Sequence, residues 1–185
     1  KYDQFQRNIP FSAFVQAFRD LMGQLLSESD RQLSDWKAKI LEAVGDNGQV
    51  LIDVIPELEL IIDAQPAATE LSGTAAQNRF NLLIQKFVKV FTNQTHPLVI
   101  FIDDLQWADS ASLNLLKLLM QDTQYLLVLG AYRDNEVSSA HPFMLTVDEI
   151  GKSGVMVKTI TLKPLSLLDM NRLVTDTLAC ELSLA

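Results

Sequence analysis

The sequence predicts an α/β fold, with a parallel sheet in the second half and a helical segment ahead of it. Three observations carry that prediction. Residues 98–102, Leu-Val-Ile-Phe-Ile, form an unbroken apolar run, the pattern of a strand buried on both faces in a parallel sheet. From there on, strand-like and helix-like stretches alternate through the rest of the chain, which is the grammar of βαβ units. Before that run, apolar residues recur at helical rather than strand spacing.

The elements follow in order. Phe11, Phe14, Val15, Phe18, Leu21, Met22, Leu25 and Leu26 line one face of a first helix, with Pro10 placed in its first turn, where proline is tolerated. A second helix carries Leu33, Trp36, Ile40, Leu41 and Val44, capped by Asp30 and stopped by Gly45. Residues 50–62 are apolar but interrupted by Pro56, which predicts two short helices or a kinked one. After a loop at 66–73, Ala76, Phe80, Leu83, Ile84, Phe87, Val88 and Phe91 define a long amphipathic helix. The pattern changes at His96-Pro97. The strand at 98–102 leads to a helix capped by Asp109 or Ser110 and carrying Leu113, Leu116, Leu119 and Met120. A second strand falls within 125–132 and a short helix within 141–150. The helix of about three turns that joins the strands at 98–102 and 125–132 predicts a right-handed βαβ crossover. Val155, Val157, Ile160 and Leu162 suggest a third strand. Ser166 and Asp169 then form a capping box for a last helix with Met170, Leu173, Val174 and Leu178.

Composition narrows the function. The 185 residues suit one domain, or one domain with pieces missing. Hydrophobic residues make up 48% and charged residues 21%, enough for a packed core. Fifteen Lys and Arg against 23 Asp and Glu give a net charge of −8. That argues against a dedicated nucleic-acid binder, although one loop can still hold a phosphate. The lone cysteine, Cys180, allows no disulfide framework and no cysteine zinc site. A reducing, cytoplasmic setting fits. No apolar run reaches the roughly 18 residues of a membrane span, and residues 1–5 do not open a signal peptide. The first residue is not Met, and both ends fall within patterned stretches. The expectation is a fragment of a longer polypeptide: residues 1–95 mainly helical, residues 96–185 an α/β core, all of one domain.

Chemistry concentrates at the end of the first strand. Asp103 and Asp104 follow its apolar run directly, where ligands bind in open α/β sheets. An acid in that place can hold Mg²⁺, usually through water, because Mg²⁺ takes hard oxygen ligands and keeps several waters. A second acid can orient or activate an attacking water. A bare acid pair equally well ends a strand and solvates a turn.

The longer string Asp103-Asp104-Leu105-Gln106-Trp107-Ala108-Asp109 after an apolar strand is more specific. It resembles the Walker B segment of the STAND class of P-loop ATPases, within the AAA-related, origin-recognition-like ATPase domains. Gly130-Ala131-Tyr132-Arg133, ending the next strand, resembles the place of the γ-phosphate sensor of that class. A guanidinium suits such a role, being always charged and able to grip phosphate oxygens bidentately. Ile160-Thr161-Leu162-Lys163-Pro164-Leu165-Ser166 resembles the strand exit and turn leading into the lid. Residues 1–12, Lys-Tyr-Asp-Gln-Phe-Gln-Arg-Asn-Ile-Pro-Phe-Ser, look like the segment after the second strand of the ATPase module in large bacterial signalling kinases of cyanobacterial type. Those proteins join a serine/threonine kinase domain to this module, then to GAF sensor and histidine-kinase domains.

The resemblance implies a three-layer P-loop sheet and ATP with Mg²⁺ as cofactors. Asp103 would hold Mg²⁺, Asp104 would orient or activate water, and Arg133 would sense the γ-phosphate. Trp107, Asp109 and Pro164 would support the site. The implied partners are the kinase and sensor domains of the same polypeptide, with self-association open and no direct nucleic acid or membrane. Asp104 stands where AAA proteins usually have Glu, and slow hydrolysis suits a switch better than a motor. Two other classes stay open: a non-catalytic scaffold on a degenerate ATPase fold, and the ATPase switch of a transcriptional regulator.

One required motif is not in these residues. No G-x-x-x-x-G-K-[ST] phosphate loop occurs, so this chain alone is expected to bind nucleotide poorly and not to hydrolyse it. Gly151-Lys152-Ser153 mimics its tail, but Thr146 stands at the leading glycine, Asp148 and Glu149 lie between, and the stretch follows the acid pair. A receiver-domain reading, with Asp148 as phosphoacceptor and Lys163-Pro164 at the end, fails because too little chain separates Asp148 from Lys163. His96 and His141 each precede proline and have no ligand-spaced partners. No nucleophile-elbow pattern for Ser-His-Asp catalysis is present. Cys180 reads as a buried helical residue. The Phe-rich face from Phe11 to Phe18 reads as core, or else as a docking face for a neighbouring domain.

Overall fold

In a computed structural model, residues 1–2 and 10–179 are described. The helical half comprises α1 (Ser12–Leu25), α2 (Asp30–Val44), α3 (Gly48–Ile52), α4 (Glu59–Ile62) and α5 (Gly73–Phe91). The second half runs β1 (Leu98–Ile102), α6 (Ser110–Asp122), β2 (Leu126–Gly130), α7 (Pro142–Lys152) and α8 (Leu167–Leu178). The strands pair in parallel, from Leu98 opposite Leu126 to Ile102 opposite Gly130, with α6 as the crossover between them. Cys180 and residues 3–9 of the amino-terminal string lie outside the described residues.

Aromatic side chains spaced along α5 tie the helical half together. Leu83, Ile84, Phe87, Val88 and Phe91 form its buried stripe. Phe87 meets Phe18 of α1 edge-on at 5.6 Å and Phe91 at 5.1 Å, and Phe91 meets Trp36 of α2 at 5.3 Å. Such pairs add modestly to the area they bury. Phe14 and Phe18 are buried in the same core, so the Phe-rich face of α1 is internal packing within this chain. Pro56 separates α3 from a 3-10 turn and α4, as its missing N–H requires.

Local signals set most helix ends. Gly45 ends α2 at φ 52°, a conformation that favours glycine. The cap of α2 is Ser29, one residue ahead of the expected Asp30, because Ser29 and Gln32 close a reciprocal capping box. Pro10 lies before the helix: Phe11 is the N-cap of α1, at φ 62°. Its N–H donates to Asp109 Oδ2 at 3.2 Å and to Ser112 Oγ at 3.1 Å, which links the first helix to the start of α6. Asp109 in turn caps α6, accepting from the Ser112 N–H at 2.9 Å. Ser166 and Asp169 form the expected capping box of α8.

Two expectations are corrected. Residues 155–163 form no strand, and Ile160 and Leu162 are exposed. A strand exists through its ladder partner, and among the described residues neither edge of the β1–β2 pair is met by this stretch. The sheet is also not covered on both faces. Ile100 and Ile102 point into the helices and are buried, whereas Val99, Phe101, Leu127 and Leu129 on the opposite face are roughly half exposed. Strand alternation sends successive side chains to opposite faces, and the described helices line only one of them. The described residues thus give two layers, helices and a two-stranded sheet, rather than three.

Gly130, the last residue of β2, sits against Leu105 just beyond the acid pair. A Cβ there would come within 2.5 Å of Leu105 Cδ1, and Leu105 is buried. Gly130→Val is therefore expected to destabilise the fold by about 1–3 kcal/mol through overpacking. Urea unfolding of the two proteins checks this, and an unchanged midpoint would contradict it.

Candidate functional site

The strand β1 ends at Ile102, and the chain turns sharply to hold its two acids. Asp104 has φ 56°, a left-handed conformation that Asp tolerates better than most residues. The Asp104 N–H donates to Asp103 Oδ1 at 2.9 Å. A 3-10 turn, Leu105–Trp107, follows at once. Its Leu105 N–H donates to the Ala131 carbonyl at 3.0 Å, which fixes the turn to the end of β2. Parallel pairing in register thus brings Asp103, Asp104 and Arg133 to the same end of the sheet.

Two residues that sequence reasoning gave no role complete this cluster. Gln106 is buried. Its Nε2 donates to Asp104 Oδ1 at 3.0 Å, and its Oε1 accepts from the Arg133 N–H at 3.3 Å. It therefore joins the two strand ends through one side chain. Lys1 comes from the other end of the chain. Its Nζ lies 3.0 Å from Asp104 Oδ2 and 3.5 Å from Asp103 Oδ2. The neighbouring Tyr2 places it there: Tyr2 is buried, and its N–H donates to the Asp103 carbonyl at 3.1 Å. Burial also pushes the Tyr2 phenol well above its ordinary range. Gln106 was visible within the quoted string. Lys1 was not findable as a site residue, because more than a hundred positions separate it from the acids.

Arg133 is held by three groups. Its Nη1 pairs with Glu136 Oε1 at 2.9 Å, its Nε lies 3.9 Å from Asp104 Oδ1, and its guanidinium lies over the Trp107 ring at 5.4 Å. Trp107 thus sits beside the cluster as a cation–π partner. Asp109 acts at a distance from the acids, as the α6 cap and the anchor of Phe11. Pro164 stands exposed in the irregular stretch before α8, outside this hydrogen-bonded cluster.

The sequence mimics fall where ordinary structure explains them. Lys152 ends α7 and pairs with Asp148 one turn back. Phosphate there would face a helix C-terminus, the negative end of its dipole. His141 caps α7, its Nδ1 accepting from the Phe143 N–H at 3.2 Å.

Charge in the cluster is matched, and the titration behaviour reflects it. The Lys1 ammonium holds the Asp104 carboxyl below its ordinary range, with help from Gln106 and Arg133 and against the cost of burial. Asp104 in turn raises Lys1, and Glu136 raises Arg133. A carboxyl lowered in the folded state binds fewer protons there than when unfolded, so its contribution is present above the unfolded value and is lost as pH falls through the folded one. The Asp104→Asn variant is expected to lose part of the acid limb of the stability–pH curve, below about pH 4. Thermal melts of both proteins between neutral and acid pH check this, and parallel curves would contradict it.

The donor set fits a hard divalent ion. Asp103 and Asp104 offer carboxylate oxygens, and Asp104 Oδ2 is buried without a hydrogen-bond partner. Its near neighbour is the Lys1 ammonium, at 3.0 Å. No cluster of three or more His, Cys, Asp or Glu able to hold a metal is present among the described residues. The chain would thus supply only part of a coordination shell, which suits Mg²⁺, an ion that fills its octahedron with water and substrate phosphate. For a nucleoside triphosphate the fit is one-sided. The metal end and two cations are here, and the glycine-rich cradle is not in the sequence. No helix among the described residues is long and apolar enough to cross a membrane.

No solved structure matches the chain. A relative in Dictyostelium discoideum, a hybrid signal transduction histidine kinase G, is 40% identical over 121 residues, which is 65% of this chain and 4% of that protein. The chain therefore spans a small fraction of the length of this relative. The family described as the AAA ATPase domain matches residues 1–129, a span that includes Lys1, both acids and all but the last residue of β2. On that match the chain belongs to the AAA ATPase domain family.

Proposed function

We propose that the chain is the metal-side part of an ATP-dependent regulatory switch in a multidomain signalling polypeptide, of the STAND type. The observation that carries this reading is the meeting of Asp104, which with Asp103 follows the end of β1, with Arg133, beyond the end of β2. The family and the histidine-kinase relative support the setting. In this reading the strand and its acids are the Walker B segment. Kinase and sensor domains of the same polypeptide are the partners, including a serine/threonine kinase domain, and the site works in the cytoplasm.

The resemblance to the STAND class supports the following roles, and the cluster at the ends of β1 and β2 is compatible with them. Asp103 would hold the metal, and Asp104 would orient the attacking water. Mg²⁺, when bound, offsets phosphate charge. Arg133, now paired with Glu136 and lying over the Trp107 ring, would give up that pair to reach the terminal phosphate. Gln106 couples Asp104 to the Arg133 backbone because it bonds to both. The phosphate cradle comes from a strand and loop outside these residues, packed beside the sheet. The half-exposed apolar face of Val99, Phe101, Leu127 and Leu129 supports a further layer there, since parallel sheets are normally covered on both faces.

The polypeptide in its natural reading frame tests the role of Arg133. It is expected to prefer ATP to ADP, and Arg133→Ala is expected to reduce that preference by about 10-fold or more, as loss of a charge-assisted hydrogen bond does. Calorimetric affinities for both nucleotides read this out. An unchanged ATP/ADP ratio in the variant would remove Arg133 from the sensor role. Absence of nucleotide binding by the natural polypeptide would favour the scaffold reading instead.

A further inference from the structure

Lys1 is not accounted for by the acid pair's proposed chemistry, and its position is specific. Its ammonium lies within 3.5 Å of one oxygen of each acid. The same two oxygens are those a divalent ion would use, and the Lys1 ammonium is the near partner of Asp104 Oδ2. The placement is built, because buried Tyr2 and its bond to the Asp103 carbonyl fix the adjoining backbone. The side chain remains about two-thirds exposed, so it can swing out without unpacking the core.

The surrounding charges sharpen the point. Asp103, Asp104 and Glu136 face Lys1 and Arg133. With Lys1 in place both carboxylates have a cation. A divalent ion arriving beside Lys1 would stack like charge against it at contact distance, which is strongly unfavourable where one acid is buried. One cation must yield. We propose that Lys1 is the resident counter-cation of the acid pair, occupying the place of the divalent metal in the empty state and displaced when the metal binds. This rests on the metal-site reading above. It adds that the empty site is closed by the chain's own ammonium, which sets a threshold for metal entry and frees a cation toward the solvent side of the site.

The test uses Mn²⁺ alone, without nucleotide, monitored by electron paramagnetic resonance of the free ion. Lys1→Met is expected to raise Mn²⁺ affinity about three- to tenfold, the range set by a partly exposed ion pair. Lys1→Arg, which keeps the charge, is expected to stay within about twofold of wild type on the same reasoning. In ¹⁵N-lysine spectra the Lys1 Nζ signal is expected to move on Mg²⁺ addition with the same half-saturation as metal binding. Wild-type binding with unchanged or weaker affinity in Lys1→Met would overturn the counter-cation and leave the metal site standing, as would an Nζ signal that ignores Mg²⁺. No Mn²⁺ binding by either protein would overturn both.

Discussion

Replacing both acids, Asp103→Asn with Asp104→Asn, is expected to lower Mg²⁺-dependent nucleotide affinity of the natural polypeptide at least about 100-fold, as removal of both carboxylates proposed to hold a hard cation should. The substitution is chosen to leave the backbone alone. Asn accepts the left-handed conformation that Asp104 adopts at φ 56°. An Asn side-chain oxygen can also keep accepting from Gln106 Nε2, now at 3.0 Å from Asp104 Oδ1. What disappears is the charge that pairs with Lys1 and Arg133 and would meet the metal. A folded variant with wild-type affinity, measured by isothermal calorimetry with and without Mg²⁺, would show that the acids only end a strand.

Phe87→Ala is expected to cost about 3–5 kcal/mol of stability, the usual range for an aromatic removed from a closed core. Phe87 is fully buried and touches Phe18 of α1 and Phe91 within α5. It sits where the helical half closes on itself, so the surrounding rings cannot collapse into the space. The consequence for the site is indirect. The α1 N-cap, Phe11, hydrogen-bonds to Asp109 and Ser112 at the start of α6, so loosening α1 loosens the turn that carries the acids. Chemical unfolding measures the loss, and a change below about 1 kcal/mol would place Phe87 outside the cooperative core.

Much of the fold was legible because its signals are local. The α5 stripe, the break at Pro56, the stop at Gly45, the cap at Asp109 and the capping box of Ser166 with Asp169 each depend on residues a few positions apart. The run at 98–102 was legible as a strand for the same reason. Its two-sided burial was not, because coverage of a face depends on which other elements arrive there, and the described helices reach only the side of Ile100 and Ile102. Val155 to Leu162 shows the same limit. An apolar β-branched stretch needs a neighbouring edge, and none among the described residues meets it. At the site, the acids and Arg133 were legible as a motif in register with consecutive strands. The Lys1 ion pair and the Gln106 bridge were not, since they arise from contacts made only by the folded chain.

These residues are proposed to form the metal end of a nucleotide switch whose phosphate cradle lies outside them. The most direct measurement is Mg-ATP binding by the polypeptide in its natural reading frame, side by side with residues 1–185 alone. Mg²⁺-dependent binding is expected of the longer polypeptide, lost on Asp103→Asn with Asp104→Asn, and little or none of the 185 residues. Tight Mg-ATP binding by residues 1–185 alone, or none by the longer polypeptide, would contradict it.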